Sequence, residues 1–299
     1  MILMGVVNLT PDSFRPETRA MSLEAAKARI TDLVARGCSI IDFGAVSTRP
    51  GAADVPVEEE WRRLEPVLRS VAGRMGIPSP TALTADADNA PPICDGPLPL
   101  SRGWRRSCEG IPSSAPTETS SSFPAISIDT TSSEIVRRVE GLVGRFLVND
   151  ISAGEDDPGM LETVAELGLP YVAMHKRGNP RSMDALTDYP QGVVKAVDEY
   201  FEAFAEKAER LGISEWILDP GFGFAKTAEQ NWELLEKLPS LRHFGRPILV
   251  GVADKRFTHT PNPFVSTLES VSVETSGNTG SDYAERLAAE RGADILRIH

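Results

Sequence analysis

Eight short apolar runs separated by segments of helical periodicity leave few folds open to this chain. The runs are Ile2 to Val7, Ser39 to Phe43, Ala125 to Asp129, Arg145 to Asn149, Pro170 to Met174, Glu215 to Asp219, Pro247 to Val252 and Asp294 to Ile298. Between them lie Ser22 to Arg36, Val57 to Val71, Ser132 to Leu142, Pro158 to Leu167, Pro190 to Leu211, Thr227 to Leu238 and Ser281 to Arg291. Strict βα alternation demands a parallel sheet. Eight units favour an α/β (β/α)₈ TIM barrel over an open doubly wound sheet. Most runs end on, or are directly followed by, a polar or charged residue (Asn8, Asp129, Asn149, His175, Asp219 and His299), which packing alone does not require, so the carboxyl ends of the strands map one active face.

The 299 residues and 41% hydrophobic content suffice for one large barrel domain spanning 1–299. A formal charge of −12 argues against electrostatic affinity for nucleic acid or an anionic membrane, so an anionic substrate must meet locally placed cations. Cys38, Cys94 and Cys108 are odd in number and lack metal or redox spacing, which fits a reducing cytoplasm. No run reaches the length of a membrane helix, and Met1 to Val7 reads as structure, not as a secretory signal.

One segment breaks the rhythm. Residues 76–123, rich in Pro, Ser, Thr and Ala, read as a disordered insertion between the second helix and third strand, leaving from the rim opposite the active face. Thr258 to Gly280 is similar in composition but follows a strand's carboxyl end, so it is expected to border the site. The chain stops at His299, directly after the eighth strand, without the helix that closes a barrel wall.

The strand ends supply Asn8, the loop Ser47 to Gly51, Asp129, Asn149, Met174 with His175, Asp219, Lys255, Arg297 and His299. Asp129, Asn149 and Asp219 suit a flat heterocycle with several N–H donors, because carboxylates accept and an amide does both. Arg49, Arg297, His299 and Lys255 supply positive charge suited to phosphate. Plainer roles compete: Asp129 precedes Thr130, Thr131 and Ser132 as a helix cap would, Asp150 reads as a cap or turn former, and His175 as a packed histidine. The stretch Asp219 to Lys226, DPGFGFAK, matches neither the dinucleotide fingerprint nor a phosphate loop. Its glycines are expected to turn Phe222 and Phe224 toward the pocket mouth.

The segments MGVVNLTPDSF, IIDFGAVSTRPGA, ISIDT, VNDISAG, MHKRG, ILDPGFGFAKT and GADILRIH, in this order, resemble the dihydropteroate synthase family over nearly the whole chain. The resemblance implies condensation of 6-hydroxymethyl-7,8-dihydropterin diphosphate with p-aminobenzoate. It implies pterin contacts from Asp129, Asn149, Asp219 and Lys255, with Met174 against the ring and Arg297 stacked on its face, while Phe224 remains a substrate contact expected from the glycine-rich stretch alone. Asn8 would help hold Mg²⁺ on the diphosphate, while Thr48, Arg49 and His299 meet the leaving group. The loop carrying Pro11, Asp12 and Phe14 would close over p-aminobenzoate together with Ser47 to Gly51. Catalysis would rest on Asp12, Arg49, Asp129 and Lys255. Family members commonly pair, which makes a homodimer an expectation.

The departures are local. Where the family's seventh strand usually ends GVSRKS, Gly251 to Arg256 reads GVADKR, keeping Lys255 but placing Arg256 where a serine helps hold the substrate carboxylate. Arg256 would pair with that carboxylate or fill its space, and weaker sulfonamide binding is expected. A pterin-binding relative without synthase activity is the competing reading. A methyl carrier to a corrinoid partner is disfavoured, because NLTPDSF and STRPG would have no purpose there.

Overall fold

The computed structural model describes residues 1–10, 19–46, 55–72, 124–178, 182–264 and 280–299. The strands are β1 (Ile2–Asn8), β2 (Ile40–Gly44), β3 (Ala125–Asp129), β4 (Leu147–Asp150), β5 (Tyr171–Met174), β6 (Trp216–Asp219), β7 (Leu249–Val250) and β8 (Ile295–Ile298). They pair in the order β6-β5-β4-β3-β2-β1-β8-β7, and every neighbouring pair is parallel. A bridge from Leu218 to Ile248 brings the β6 edge to the β7 edge, completing the expected barrel.

Helices α1 (Arg19–Ala35), α2 (Val57–Val71), α3 (Ser133–Val143), α4 (Met160–Leu167), α5 (Val193–Leu211), α6 (Ala228–Glu236) and α7 (Gly280–Glu290) alternate with the strands. Local chemistry explains their limits. Glu58, Glu59 and Glu60 load the first turn of α2 with the charge its amide dipoles favour, and Leu64, Val67, Leu68 and Val71 form its buried stripe. A reciprocal capping box between Thr227 and Gln230 starts α6, which gives way at Lys237 to a 3₁₀ segment, Leu238–Phe244, with Pro239 in its first turn. The helix therefore stops at Glu236, short of the expected Leu238. Strand β7 has only two residues where six were expected: Pro247 lies outside it, Ile248 makes only an isolated bridge, and Gly251 and Val252 leave the ladder.

Two hydrophobic layers follow from strand parity. Outward-facing residues such as Ile41, Phe43, Ile128, Val148 and Leu218 pack beneath the helices in one cluster. Inward-facing Met4, Ile40, Ala125, Leu147, Val172, Ile217, Leu249 and Ile295, one from each strand, form a separate buried plug. Each large side chain sealed there contributes roughly 1.5–3 kcal/mol. The plug closes the barrel's lower half, so a ligand can enter only from the carboxyl ends.

Residues 76–123 lie outside the described residues, as do residues 265–279 and the site candidates Asp12, Thr48 and Arg49. No helix among the described residues is long and apolar enough to cross a membrane.

Candidate active site

Two residues beyond the plug the side chains again point inward, and on five of the strands they are polar. From Ile40, Ala125, Leu147, Ile217 and Ile295, this step reaches Asp42, Ser127, Asn149, Asp219 and Arg297, while from Val172 it reaches Met174. A further two residues reach Asp129 on β3. The strand-end residues proposed from sequence thus share one cavity wall by parity.

Asp42 organises the floor. Its Oδ1 accepts from Ser127 Oγ at 2.6 Å and its Oδ2 from Asn149 Nδ2 at 3.0 Å. With the amide nitrogen turned to the carboxylate, Asn149 is left with a buried Oδ1 that has no hydrogen-bond partner among the described residues. Asp219 is similar. Its Oδ1 accepts from the Gly221 N–H at 2.8 Å, whereas its buried Oδ2 has no hydrogen-bond partner among the described residues and faces Arg297 Nη1 at 3.7 Å. Buried acceptors are expensive to leave unpaired, so these two oxygens call for a ligand with N–H donors.

Asp129 lies at the mouth, where a methyl group on Gly44 would sit 3.4 Å from Asp129 Oδ2 and 3.8 Å from Asn8 Oδ1. Burial first, and the neighbouring Asp42 carboxylate next, push the Asp129 carboxyl up to about 8, against the opposing pull of Arg297. Burial likewise raises Asp42, opposed by its bonds to Ser127 and Asn149 and by Arg297. Two acids crowd one cation. Such a site favours a ligand that brings or develops positive charge.

The remaining wall is apolar. Met174 and Phe224 cluster with Ile151, Met183 and Ala225. The Lys255 ammonium stands 4.9 Å from the Phe224 ring centroid, and its stem lies against Gly223, where a Cβ would be 3.2 Å from Lys255 Cδ. The Arg297 guanidinium lies flat on Gly251, since a Cβ there would fall within 2.7–3.0 Å of its atoms. His299 sits at the rim with its carbonyl accepting from Arg36 Nη1 at 2.9 Å, and partial burial and the Arg297 charge lower its imidazole pKa.

Several sequence expectations resolve here. The cap of α3 is Ser132, which accepts from the Ile135 N–H, and Asp129 is free for the pocket. Asp150 forms a turn, taking the N–H groups of Ser152 and Gly154 and the Tyr171 hydroxyl. His175 is a packed residue, 2% exposed. Phe222 does not turn toward the mouth: it stacks on Phe257 at 6.2 Å in the outer layer, because the Gly221 and Gly223 backbones, both at positive φ, send the two phenylalanines to opposite sides. Arg256 is exposed and opens the 3₁₀ turn Arg256–His259, so it does not plug the cavity. Asp42 and Ser127 were missed because they lie two residues before the ends of β2 and β3. Their inward parity with Ile40 and Ala125 was the available signal.

The family model for pterin binding enzymes matches residues 4–79 and 116–299. The chain belongs to this family. Dihydropteroate synthase of Escherichia coli is 33% identical, the match covering 99% of this chain and 86% of the relative. The structure of Xanthomonas albilineans dihydropteroate synthase with 4-aminobenzoic acid is 32% identical, with a TM-score of 0.69 and coverage of 100% and 87% of the two chains. The same enzyme in complex with 7,8-dihydropteroate gives 30% identity, a TM-score of 0.66 and coverage of 100% and 87%. The buried acceptors of the floor and the apolar cluster of Met174 and Phe224 offer two kinds of contact to a flat ring, hydrogen bonds at an edge and contact area on a face.

Proposed function

We propose that the protein is a dihydropteroate synthase, condensing 6-hydroxymethyl-7,8-dihydropterin diphosphate with p-aminobenzoate to give 7,8-dihydropteroate and diphosphate. The carrying observation is the pair of buried acceptors on the cavity floor, Asn149 Oδ1 and Asp219 Oδ2, left without a hydrogen-bond partner among the described residues. An aminopterin edge offers the N–H donors they lack, and Met174 and Phe224 take its face.

In the reaction the bond from the pterin methylene carbon to the diphosphate oxygen breaks, the departing diphosphate takes the electron pair, and the arylamine nitrogen bonds to the carbon and releases a proton. Positive charge develops on the pterin. Asp129, its proton released to solvent, and Asp42 stabilise that charge as carboxylates. Lys255 and Arg297 hold the ring and the phosphates, and Thr48, Arg49 and His299 neutralise the leaving group. Asp12 and the loop around it, with Ser47 to Gly51, close over the arylamine and align it for attack.

Among the described residues no cluster of His, Cys, Asp or Glu could hold a metal alone, while Asn8 Oδ1 faces the mouth beside Asp129. Such a sparse donor set fits Mg²⁺, which keeps most ligands as water and phosphate oxygen. Asn8 would hold the ion, which supplies charge neutralisation to the diphosphate when bound. We place the protein in the cytoplasm, consistent with its free, buried Cys38, and as a homodimer, in keeping with family habit.

The test supplies pterin diphosphate, Mg²⁺ and p-aminobenzoate and follows pterin binding and diphosphate release together. Turnover that requires the arylamine is expected. Tight pterin binding without release would instead favour the inert relative, a reading motivated by the Ala253, Asp254 and Arg256 departures.

A further inference from the structure

Beneath the pocket wall lies a buried amine that none of the steps above uses. Lys226 is 8% exposed, and its Nζ reaches the Gly221 carbonyl at 2.8 Å, the Phe224 carbonyl at 3.1 Å and His175 Nδ1 at 2.9 Å. Burial pushes the Lys226 amine down to about 7 against the opposing pull of Asp219; in its ammonium form it has three donors, and here each has an acceptor. Among the described residues, no carboxylate is hydrogen-bonded to it. Such an arrangement is costly to bury and holds two points of one loop against the end of β5.

That loop, Asp219 to Lys226, presents Phe224 to the cavity and Gly223 to the Lys255 stem. Three more of its polar backbone atoms are also tied. Gly223 N–H donates to Asn231 Oδ1 at 2.7 Å, the Ala225 carbonyl accepts from Tyr189 Oη at 3.0 Å, and the Lys226 carbonyl accepts from Asn231 Nδ2 at 3.3 Å. The loop also interlocks with β5, since a methyl on Gly221 would meet the His175 carbonyl at 2.0 Å. His175 is in turn fixed by its own N–H to the Asp219 carbonyl at 2.9 Å and by the edge of Tyr200 at 4.9 Å. Ala225 is held at φ 50, a conformation an L-residue adopts only under constraint.

We propose that Lys226, braced by His175, is a positioning residue that fixes the pterin-contacting face of the Asp219 to Lys226 loop, and through it the placement of Phe224 and Lys255. The proposal rests on the synthase reading for the identity of the ligand. The imidazole must be neutral for Nδ1 to accept from the ammonium. Burial, followed by the Lys226 and Arg177 charges, depresses its pKa accordingly. The requirement on His175 is therefore an acceptor at the Nδ1 position, not a charge.

The experiment compares wild type with Lys226→Met, His175→Phe and His175→Asn, whose side-chain oxygen can replace Nδ1. Pterin diphosphate affinity is measured by calorimetry, KM for both substrates by kinetics, and folding by thermal unfolding. Expected for Lys226→Met and His175→Phe is a loss of about tenfold or more in pterin affinity, the scale of one lost charged hydrogen bond. KM for p-aminobenzoate should stay within about twofold in the same variants, with His175→Asn recovering most of the pterin affinity.

A folded Lys226→Met with wild-type pterin affinity overturns the proposal. So does lowered kcat with both substrate constants unchanged, because that reports only a smaller folded fraction. Should Lys226→Met fail to fold, the pair of histidine variants decides: equal pterin affinity in His175→Phe and His175→Asn overturns the positioning role. Wild-type protein that binds no pterin refutes the synthase reading itself, and this proposal with it.

Discussion

Replacing Asp129 by asparagine should abolish synthesis and yet steady the empty protein at alkaline pH. Its carboxyl titrates near 8 in the folded chain against an ordinary 3.8, so the folded state binds the proton that the unfolded chain releases across that interval. Where the native state holds more protons, stability falls as pH rises, and the fall continues until the folded group itself ionises. Each pH unit between the two titration points corresponds to about 1.4 kcal/mol, so raising the pH from 6 to 8, with flattening near the folded titration point, removes roughly 2 kcal/mol through this group. Asparagine carries no proton to lose, and its neutrality also lets Asp42 ionise more easily, which pushes in the same direction. The assay is urea unfolding of ligand-free wild type and Asp129→Asn at both pH values and fixed ionic strength. Titrating groups that do not interact with Asp129 contribute alike to both proteins, so the difference of slopes reports Asp129 together with its neighbour Asp42. The variant should lose about 2 kcal/mol less than wild type over that range. Parallel pH dependences would show that Asp129 is already ionised in the free pocket, and with that the idea that it gives up its proton only as positive charge develops beside it fails.

Gly251→Ala introduces a methyl within 3.0 Å of the Arg297 guanidinium without demanding an unusual φ, so Arg297 must lift from its seat. KM for pterin diphosphate should rise about tenfold, the order of one charged contact, with little change in melting temperature, and an unchanged KM would refute the stacking role. Ala225→Gly relieves about 1 kcal/mol of left-handed strain at φ 50 but loses a buried methyl worth a similar amount and adds chain entropy. Urea unfolding should place it within about 1 kcal/mol of wild type, and a loss above about 2 kcal/mol would mean that the loop is not strained there. Arg256→Ser should raise KM for p-aminobenzoate only a few-fold, since an exposed ion pair contributes up to about 1 kcal/mol, and leave pterin affinity unchanged. A fall in that KM would show that Arg256 obstructs the carboxylate instead.

The barrel was legible because each strand carries its own boundary signal and because eight repeats make the architecture over-determined. The site was legible in part for the same reason: Asp129 and Asp219 end their strands and Asn149 stands one residue before the end of its own, where a polar residue stands out against an apolar run. Asp42 and Ser127 carry the same chemistry but sit inside β2 and β3, where a strand-end rule does not look. Parity would have found them, for counting by twos from Ile40 and Ala125 leads to both before any end is reached. Lys226 was hidden differently. Nothing in DPGFGFAK distinguishes a lysine that points to solvent from one that turns inward. That choice is made by two carbonyls of its own loop and by His175, 51 residues away in sequence, which only the folded chain brings within reach. The same limit applied to Phe222 and Phe224, identical in type and two apart, which two positive-φ glycines send to different layers. Local pattern thus tells which residues can reach the cavity, but the polar network beneath it decides which of them are held there.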